Sequence, residues 1–279
     1  MRNAQCIVLT WSAFFFCTLI TGAQDLERIR ADISSGNPEL QRNALVQIRN
    51  LRTPEASRFA VPLLSDKNEI VRASAAGAVI YIPAQEAARA LIPLLGDKAE
   101  FVRQETAYAL GDVGDPSAVP GLLNAIQKGP DAVRNAAVIA LGKIGDAGPI
   151  KALLTLLQKK PNEDNEFLRR SAARSTGQIA QFQVTGGRDL TTPKNYLPTK
   201  FKEPGPASST ERFPGATSVL IRVLQNKKES DDTRREAAFA LGWAGGPAAI
   251  AVLRQYLASP DNHLAEITKE ALIRLGAYQ

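Results

Sequence analysis

A pattern of apolar and small side chains returns every 31 residues in the first half of the chain. It starts at Val71, Val102 and Val133, each followed by an arginine, and continues with apolar or small residues 4, 7, 8 and 11 positions later. At 100° per residue these positions fall on one stripe of an α-helix. A shorter aliphatic run, such as residues 91–95, precedes each anchor. The pattern therefore predicts two helices per repeat, the second beginning near the anchor.

Weaker copies of the pattern extend the array in both directions. Their anchors are Leu40, Leu168, Thr233 and Ile267, so the chain holds seven repeats. A fixed period of about 20–50 residues is typical of a solenoid, in which each repeat buries its apolar face against its neighbours. No stretch alternates for long enough to predict a strand. We therefore predict an all-α solenoid of about seven helix pairs.

The breaks between repeats carry residues that end and begin helices. Gly114-Asp115-Pro116 supplies a helix-ending glycine, an N-cap aspartate and a proline at the first helical position, where its missing N–H costs nothing. Thr53-Pro54 and Gly246-Pro247 repeat the arrangement. These signals indicate short, sharp connections between neighbouring helix pairs.

Two further phrases recur: Leu-Leu-x-Asp before the anchor, as at 63–66 and 94–97, and Ala-Leu-Gly after it, as at 109–111, 140–142 and 240–242. They resemble the short HEAT repeats that also occur in phycobilisome-lyase-like proteins. The resemblance implies a right-handed superhelix with the anchored helices on the inner, concave side. It also implies that aspartate and arginine side chains form a ladder between stacked repeats, which makes them structural: Asp66, Asp97, Arg72, Arg103, Arg134, Arg169 and Arg234.

The first residues have the features of an export signal. A short basic start at Arg2 precedes an apolar run of 14 residues, 7–20, and the small residues of Thr21-Gly22-Ala23. A run that short suits a signal peptide, because a membrane-spanning helix needs about 20 apolar residues. We expect cleavage after Ala23 and a periplasmic or secreted product without a transmembrane segment. A retained N-terminal anchor is the alternative.

Residues 183–213 interrupt the array between repeats 1–5 (24–182) and repeats 6–7 (214–279). Their prolines and glycines argue against a helix, so we predict an insertion loop. The loop contains Tyr196, Phe201 and Phe213, which either dock on the solenoid or await a partner. Residues 151–235 hold 16 basic and 9 acidic residues. This basic surplus would suit an acidic partner, although a solvated face is the simpler reading.

The sequence offers little for catalysis. His263 is the single histidine, and its position near the start of the last helix suits a capping or surface residue. Both cysteines, Cys6 and Cys17, lie within the predicted signal peptide. The His-Glu pairs used by helical-repeat di-iron hydroxylases are missing. We therefore predict no catalytic, metal or cofactor site.

With no catalytic site predicted, the sequence favours a scaffold that binds a partner. Offsets 2, 3, 6 and 10 from each anchor project from the side of the helix opposite the buried stripe, where a solenoid meets its ligand. Tyr, Trp and Arg are enriched at binding hot spots, and these offsets supply the predicted contacts: Tyr81, Tyr108, Arg170, Arg174, Phe239 and Trp243. Close packing of the anchored helices, which would shelter the rings, is the alternative.

We accordingly expect an exported, non-catalytic scaffold that binds a protein, and no nucleic acid, through its concave face. An enzyme of lyase or hydrolase type using the same groove, or a structural subunit of an envelope assembly, are the other functions compatible with the sequence.

Overall fold

The computed structural model describes residues 25–187 and 211–278. These residues form seven pairs of α-helices, each with a first (A) and a second (B) helix, and no strand occurs among them. The A helices are α1 (25–34), α3 (Pro54–Arg58), α5 (Ala84–Leu91), α7 (Val119–Lys128), α9 (Ile150–Gln158), α11 (Ala216–Gln225) and α13 (Pro247–Arg254). The B helices are α2 (Pro38–Leu51), α4 (Glu69–Ala78), α6 (Glu100–Val113), α8 (Asp131–Ile144), α10 (Glu166–Thr185), α12 (Asp231–Ala244) and α14 (Asn262–Arg274). Short 3₁₀ helices occupy Val61–Ser65, Val79–Tyr81, Ile92–Gly96, Pro116–Ala118 and Glu163–Asn165. The predicted all-α solenoid of seven helix pairs is confirmed.

Two of the predicted features fall largely or wholly outside the described residues. The signal peptide, residues 1–23, is one, and most of the insertion, with Tyr196 and Phe201, is the other. Within the described residues, none of the helices has both the length and the apolar character that a membrane span requires.

The predicted start and stop residues act as expected at the junctions. Gly114 ends α6 in the left-handed conformation with φ of 68°, which glycine adopts without the steric cost of a Cβ. The Asp115 side chain then accepts the backbone N–H of Ser117 at 2.9 Å. The Thr53 hydroxyl likewise accepts the N–H of Ala56 ahead of α3. These caps satisfy backbone groups that the short connections would otherwise leave without partners.

Each B helix contacts the next B helix along the whole array, from α2 to α14. The glycine of the Ala-Leu-Gly phrase lies at these contacts. A Cβ on Gly111 would come within 2.8 Å of the Ala140 Cα, and one on Gly242 within 2.9 Å of the Ala271 Cα. Backbone therefore approaches backbone at these two contacts, which leaves no room for a side chain, whereas a Cβ on Gly142 would meet the Ser175 and Gln178 side chains of α10.

The A helices pack through larger side chains. Their one glycine, Gly121 in α7, faces the end of the Leu95 side chain and not a backbone atom. Successive B helices contact one another along the whole array, whereas direct contacts between successive A helices are prominent only among α9, α11 and α13, so the B row is the more closely packed. Closer spacing on one side curves the stack toward that side, which agrees with the expected inner position of the B helices.

Of the arginines predicted to form a ladder between repeats, Arg72 and Arg169 reach a carboxylate of the next repeat. The prediction is wrong for Arg134 and Arg234, whose ion pairs, with Asp131 and Asp231, stay within their own helices. Arg72 donates through Nε and Nη2 to the Asp97 carboxylate of the next repeat, both at 2.8 Å, and through Nη1 to the Asp66 carbonyl oxygen at 2.8 Å. Arg103 in turn donates to the Asp97 carbonyl at 2.7 Å. The hydrogen bond from Arg72 holds the pKa of the Asp97 carboxyl below its ordinary value. In repeat one, Gln41 stands in the arginine position and donates to the Ile33 carbonyl at 3.1 Å instead.

The array continues without a break across the insertion. Helix α10 contacts α12 directly, and Arg169 of α10 pairs with Glu229, which precedes α12; both side chains are 2% exposed. The predicted start of the insertion at 183 is wrong, since α10 continues to Thr185 before Gly186 ends it. Phe213 packs against the core, which favours docking for this one ring of the insertion.

Adding a methyl group at a contact between B helices should weaken the stack. We expect Gly111→Ala to lower the free energy of unfolding by about 1–3 kcal/mol, because the new Cβ would overlap the α8 backbone. Gly96→Ala is the matched control, since a Cβ there has nothing within 4 Å. Thermal unfolding followed by circular dichroism measures both variants. Equal melting temperatures for the two would contradict the close-packing argument.

Candidate functional site

Only a narrow sector of each inner B helix is open to solvent. The buried stripe faces the A row, and the Ala-Leu-Gly side faces the next B helix, so offsets −1, 2, 3, 6 and 10 share the remaining sector at 100° per residue. In repeats two to five most side chains in this sector are exposed or half-buried. The few that are buried are small or lie near the C-terminal end of the helix. We call this sector of the B row the strip.

The strip carries an exposed large apolar side chain at the same position of repeats two, three and five. Ile70 is 43% exposed, Phe101 47% and Phe167 42%, and each lies one position before an anchor. Ala132 has the same position in repeat four, where it is half-buried. We call these four residues the apolar row. Offsets counted forward from the anchors do not include this position, although positions 70, 101 and 132 share the 31-residue period.

Two of the predicted tyrosines lie farther along the strip than the apolar row, Tyr108 seven residues after Phe101 and Tyr81 eleven residues after Ile70. Tyr108 on α6 is half-buried and packs against the core with part of its ring. Tyr81 ends the 3₁₀ helix that follows α4 and is also half-buried. Both therefore remain available to a partner.

Both predicted arginines lie in the strip and are already ion-paired. Arg170 donates to Asp232 at 3.1 Å, and its guanidinium lies 5.0 Å from the centre of the Phe167 ring. Arg174 pairs with Glu236 on α12. The two arginines thus join repeats five and six and cover part of the strip there.

The expectation that Phe239 and Trp243 project from the inner face is wrong. Phe239 is 0% exposed and Trp243 9% exposed. The Phe239 ring packs directly against Gly177: a Cβ on that glycine would lie 2.6 Å from the ring. The missing side chain thus lets α12 approach α10 closely. The Arg274 guanidinium lies 4.0 Å from the centre of the Trp243 ring and covers it. The strip therefore closes in repeat six, as the alternative of close helix packing had foreseen for these rings.

Histidine and the acidic residues offer no clustered chemistry in the described part of the chain. His263 is exposed at the start of α14, where its backbone N–H donates to the N-cap carboxylate of Asp261 at 3.1 Å. Among residues 25–187 and 211–278, no three His, Cys, Asp or Glu side chains lie close enough together to hold a metal ion.

A family profile for HEAT repeats matches residues 26–110, 63–138, 89–177 and 210–273, which together make up more than half of the chain. The chain belongs to the HEAT-repeat family. Its seven helix pairs are thus HEAT repeats, and the strip is formed by their second helices.

Relatives of this HEAT-repeat chain include enzymes and engineered proteins. Over 64 residues it is 39% identical to deoxyhypusine hydroxylase of Rattus norvegicus, a match that covers 23% of this chain and 21% of the hydroxylase. The chain therefore matches about a fifth of the length of that curated relative. An engineered protein aligns with a TM-score of 0.54 at 21% identity, over 91% of this chain and 69% of the other. The complex of CpcE and CpcF of phycocyanin lyase from Nostoc gives 0.49 at 19% identity, over 90% and 94%. The engineered protein supports the solenoid fold alone.

Truncating a ring in the closed part of the strip should cost stability, whereas truncating one in the apolar row should not. We expect Phe239→Ala to lower the free energy of unfolding by roughly 3–5 kcal/mol, because it leaves a cavity between α10 and α12. Phe101→Ala, the matched control, should change it by about 0.5 kcal/mol or less. Denaturant unfolding measures both. A small effect at Phe239 would show that its ring is not part of the core.

A buried carboxyl beside Arg174 should make stability depend on pH. Burial raises the pKa of Glu236 above its ordinary value of 4.5, although Arg174 opposes the shift. The folded chain then holds this proton more tightly than the unfolded chain. The free energy of unfolding should therefore rise as the pH falls from neutral, through the folded-state pKa, toward the ordinary value. Glu236→Gln should flatten that part of the profile, measured by denaturant unfolding across the range. Superimposable pH profiles of wild type and Glu236→Gln would contradict the assignment of this pH dependence to Glu236.

Proposed function

We propose that this HEAT-repeat protein is an exported, non-catalytic scaffold that binds a protein partner through the strip. The observation that carries the proposal is the apolar row, in which large apolar side chains stay exposed at one position of repeats two, three and five, with Ala132 at that position in repeat four. Isolated exposed apolar residues are ordinary, but contiguous ones mark interaction surfaces. Three of them at one register, with two half-buried tyrosines farther along the strip, form such a surface.

The apolar row also defines the extent of the binding surface. Neighbouring packed helices are about 8–10 Å apart, so the three steps from Ile70 to Phe167 span roughly 25–30 Å. At the same register the flanking repeats carry Glu39, Asp232 and Glu266, all exposed. Charged residues thus bound the row at both ends. A partner segment lying along the stack across repeats two to five would cover the row completely.

The enzyme alternative draws its support from the relatives. The similarity to deoxyhypusine hydroxylase covers 64 residues, a stretch that reflects the shared repeat. The strip contributes aromatic, aliphatic and ion-paired side chains, and His263 lies outside it at the start of α14. This composition is that of a contact surface, so it favours a binding protein over an enzyme. A structural subunit of an envelope assembly would also bind its neighbours, and is therefore one form of the same proposal.

Export remains part of the proposal and rests on the sequence of residues 1–23. Mass spectrometry of the protein from its native source is expected to give a chain that begins at Gln24, because the small residues of Thr21-Gly22-Ala23 suit cleavage there. Intact Met1 on the protein in a cytosolic fraction would overturn this part.

Site-specific photo-crosslinking tests the strip directly. A photoreactive phenylalanine analogue in place of Phe101 should capture a defined partner in the native fraction, whereas the same analogue in place of Leu257, exposed in the turn that follows α13, should not. With the purified partner, Phe101→Ser combined with Phe167→Ser should weaken binding by at least about tenfold, since truncation at a hot spot costs about 2 kcal/mol or more.

Leu257→Ser is the control for that measurement, because it removes an exposed apolar side chain of similar accessibility from another surface. Tyr108→Ala should weaken binding to a smaller extent, as its ring is half-buried. Equal affinity of wild type and the Phe101/Phe167 double variant, with both folded, would place the binding surface elsewhere.

A further inference from the structure

A cleft of about 330 Å³ lies between the C-terminal ends of α9 and α11, away from the apolar row. Lys159, Lys160 and Arg222 line it, and the buried pair of Arg169 and Glu229 forms part of the same wall. The cleft belongs to the junction of repeats five and six, within the segment that holds the basic surplus of the chain.

The charges that line the cleft do not cancel. Glu229 is the one carboxylate among the lining residues. Arg169 donates two hydrogen bonds to it, and both side chains are 2% exposed. Lys159, Lys160 and Arg222 are all exposed. None of the three has an ion pair or a side-chain hydrogen bond within residues 25–187 and 211–278. Three cations therefore face one concavity without a counter-charge.

The helix ends beside the cleft would ordinarily repel an anion, because the last carbonyl oxygens of a helix carry partial negative charge. Here Arg169 covers those of α9. It donates to the carbonyls of Leu156 and Leu157, both at 3.0 Å, and to the carbonyl of Lys159. The locked arginine thus removes the repulsion while the three outer cations keep their charge.

A second, larger cleft differs from this one in its charge. It has a volume of about 710 Å³ and lies beside α12 and the start of α14. Its arginines are neutralised, since Arg235 donates to Asp261 at 2.9 and 3.0 Å and Arg234 pairs with Asp231 at 3.2 Å. Of these two clefts, the smaller one combines a cavity with positive charge that no ion pair within the described residues compensates.

We propose that the cleft between α9 and α11 binds a phosphate group. The planar fork of an arginine can hold two phosphate oxygens, and lysines act as point charges around them. A volume of about 330 Å³ accommodates a phosphate ester with its hydration. The site is independent of the strip, so the protein would carry two separate recognition surfaces.

Isothermal titration calorimetry with sodium pyrophosphate at physiological ionic strength tests the proposal. Wild type is expected to bind saturably. The variant Lys159→Ser/Lys160→Ser/Arg222→Gln should bind about tenfold more weakly or not at all. The control variant Lys67→Ser/Lys98→Ser/Arg89→Gln loses the same charge at exposed positions outside the cleft and should bind as wild type does. Unchanged melting temperatures would show that both variants are folded.

A second arm identifies the source of the phosphate. Sedimentation with phosphatidylcholine vesicles that contain phosphatidic acid, lost in the cleft variant and competed by pyrophosphate, would assign a lipid headgroup. Pyrophosphate binding without vesicle binding would assign a soluble phosphate ester. Equal weakening in the cleft and control variants would show attraction by overall charge alone and overturn the proposal. So would the absence of saturable pyrophosphate binding to wild type.

Discussion

Backbone contact between neighbouring B helices is the constraint on which the rest of this solenoid depends. At Gly111 and Gly242 a single Cβ would overlap the next helix, and small residues surround these contacts. Because the helices approach so closely, each inner B helix is covered toward the A row and by its neighbours, and one narrow sector remains open. The strip exists because of this geometry. The same geometry buries Phe239, since Gly177 admits its ring between α10 and α12.

The arginine ladder explains how the array accommodates an insertion. Arg72 and Arg169 both hold carbonyl oxygens of the segment that leads into their own B helix. Each also reaches a carboxylate of the next repeat, Asp97 in one case and Glu229 in the other. These contacts depend on the register of the helices and not on the chain that joins them. A long connection adds only a slowly growing closure entropy, so repeats five and six stack as the others do.

The features that could be predicted from the sequence are those repeated in every unit. The anchors, the junction at Asp115 and the arginines after the anchors recur with a fixed period, and a period is visible without knowledge of neighbouring helices. The carboxylate that each arginine reaches does not recur, since Arg72 and Arg169 pair across repeats and Arg134 pairs within its own helix. The errors arose where one repeat differs from the others. Offsets 6 and 10 were assigned to an isolated helix, which cannot show that Arg274 covers Trp243. Glu229 lies outside the repeating pattern, so no spacing could have indicated the partner of Arg169. The apolar row had a signal, the period at Ile70 and Phe101, that a search beginning before the anchors would have found.

Positions that pack the stack are the same in each repeat, which leaves the uncovered positions free to differ between repeats. Offset −1 is apolar at Ile70, Phe101 and Phe167 and acidic at Asp232, although the backbone around it is alike. The ends of α9 and α11 similarly bring Lys159 and Arg222 together at one cleft. A solenoid can therefore change what it recognises along its length without a change in fold. In this chain, the variable positions place an apolar surface on repeats two to five and a cationic cleft at the junction of repeats five and six.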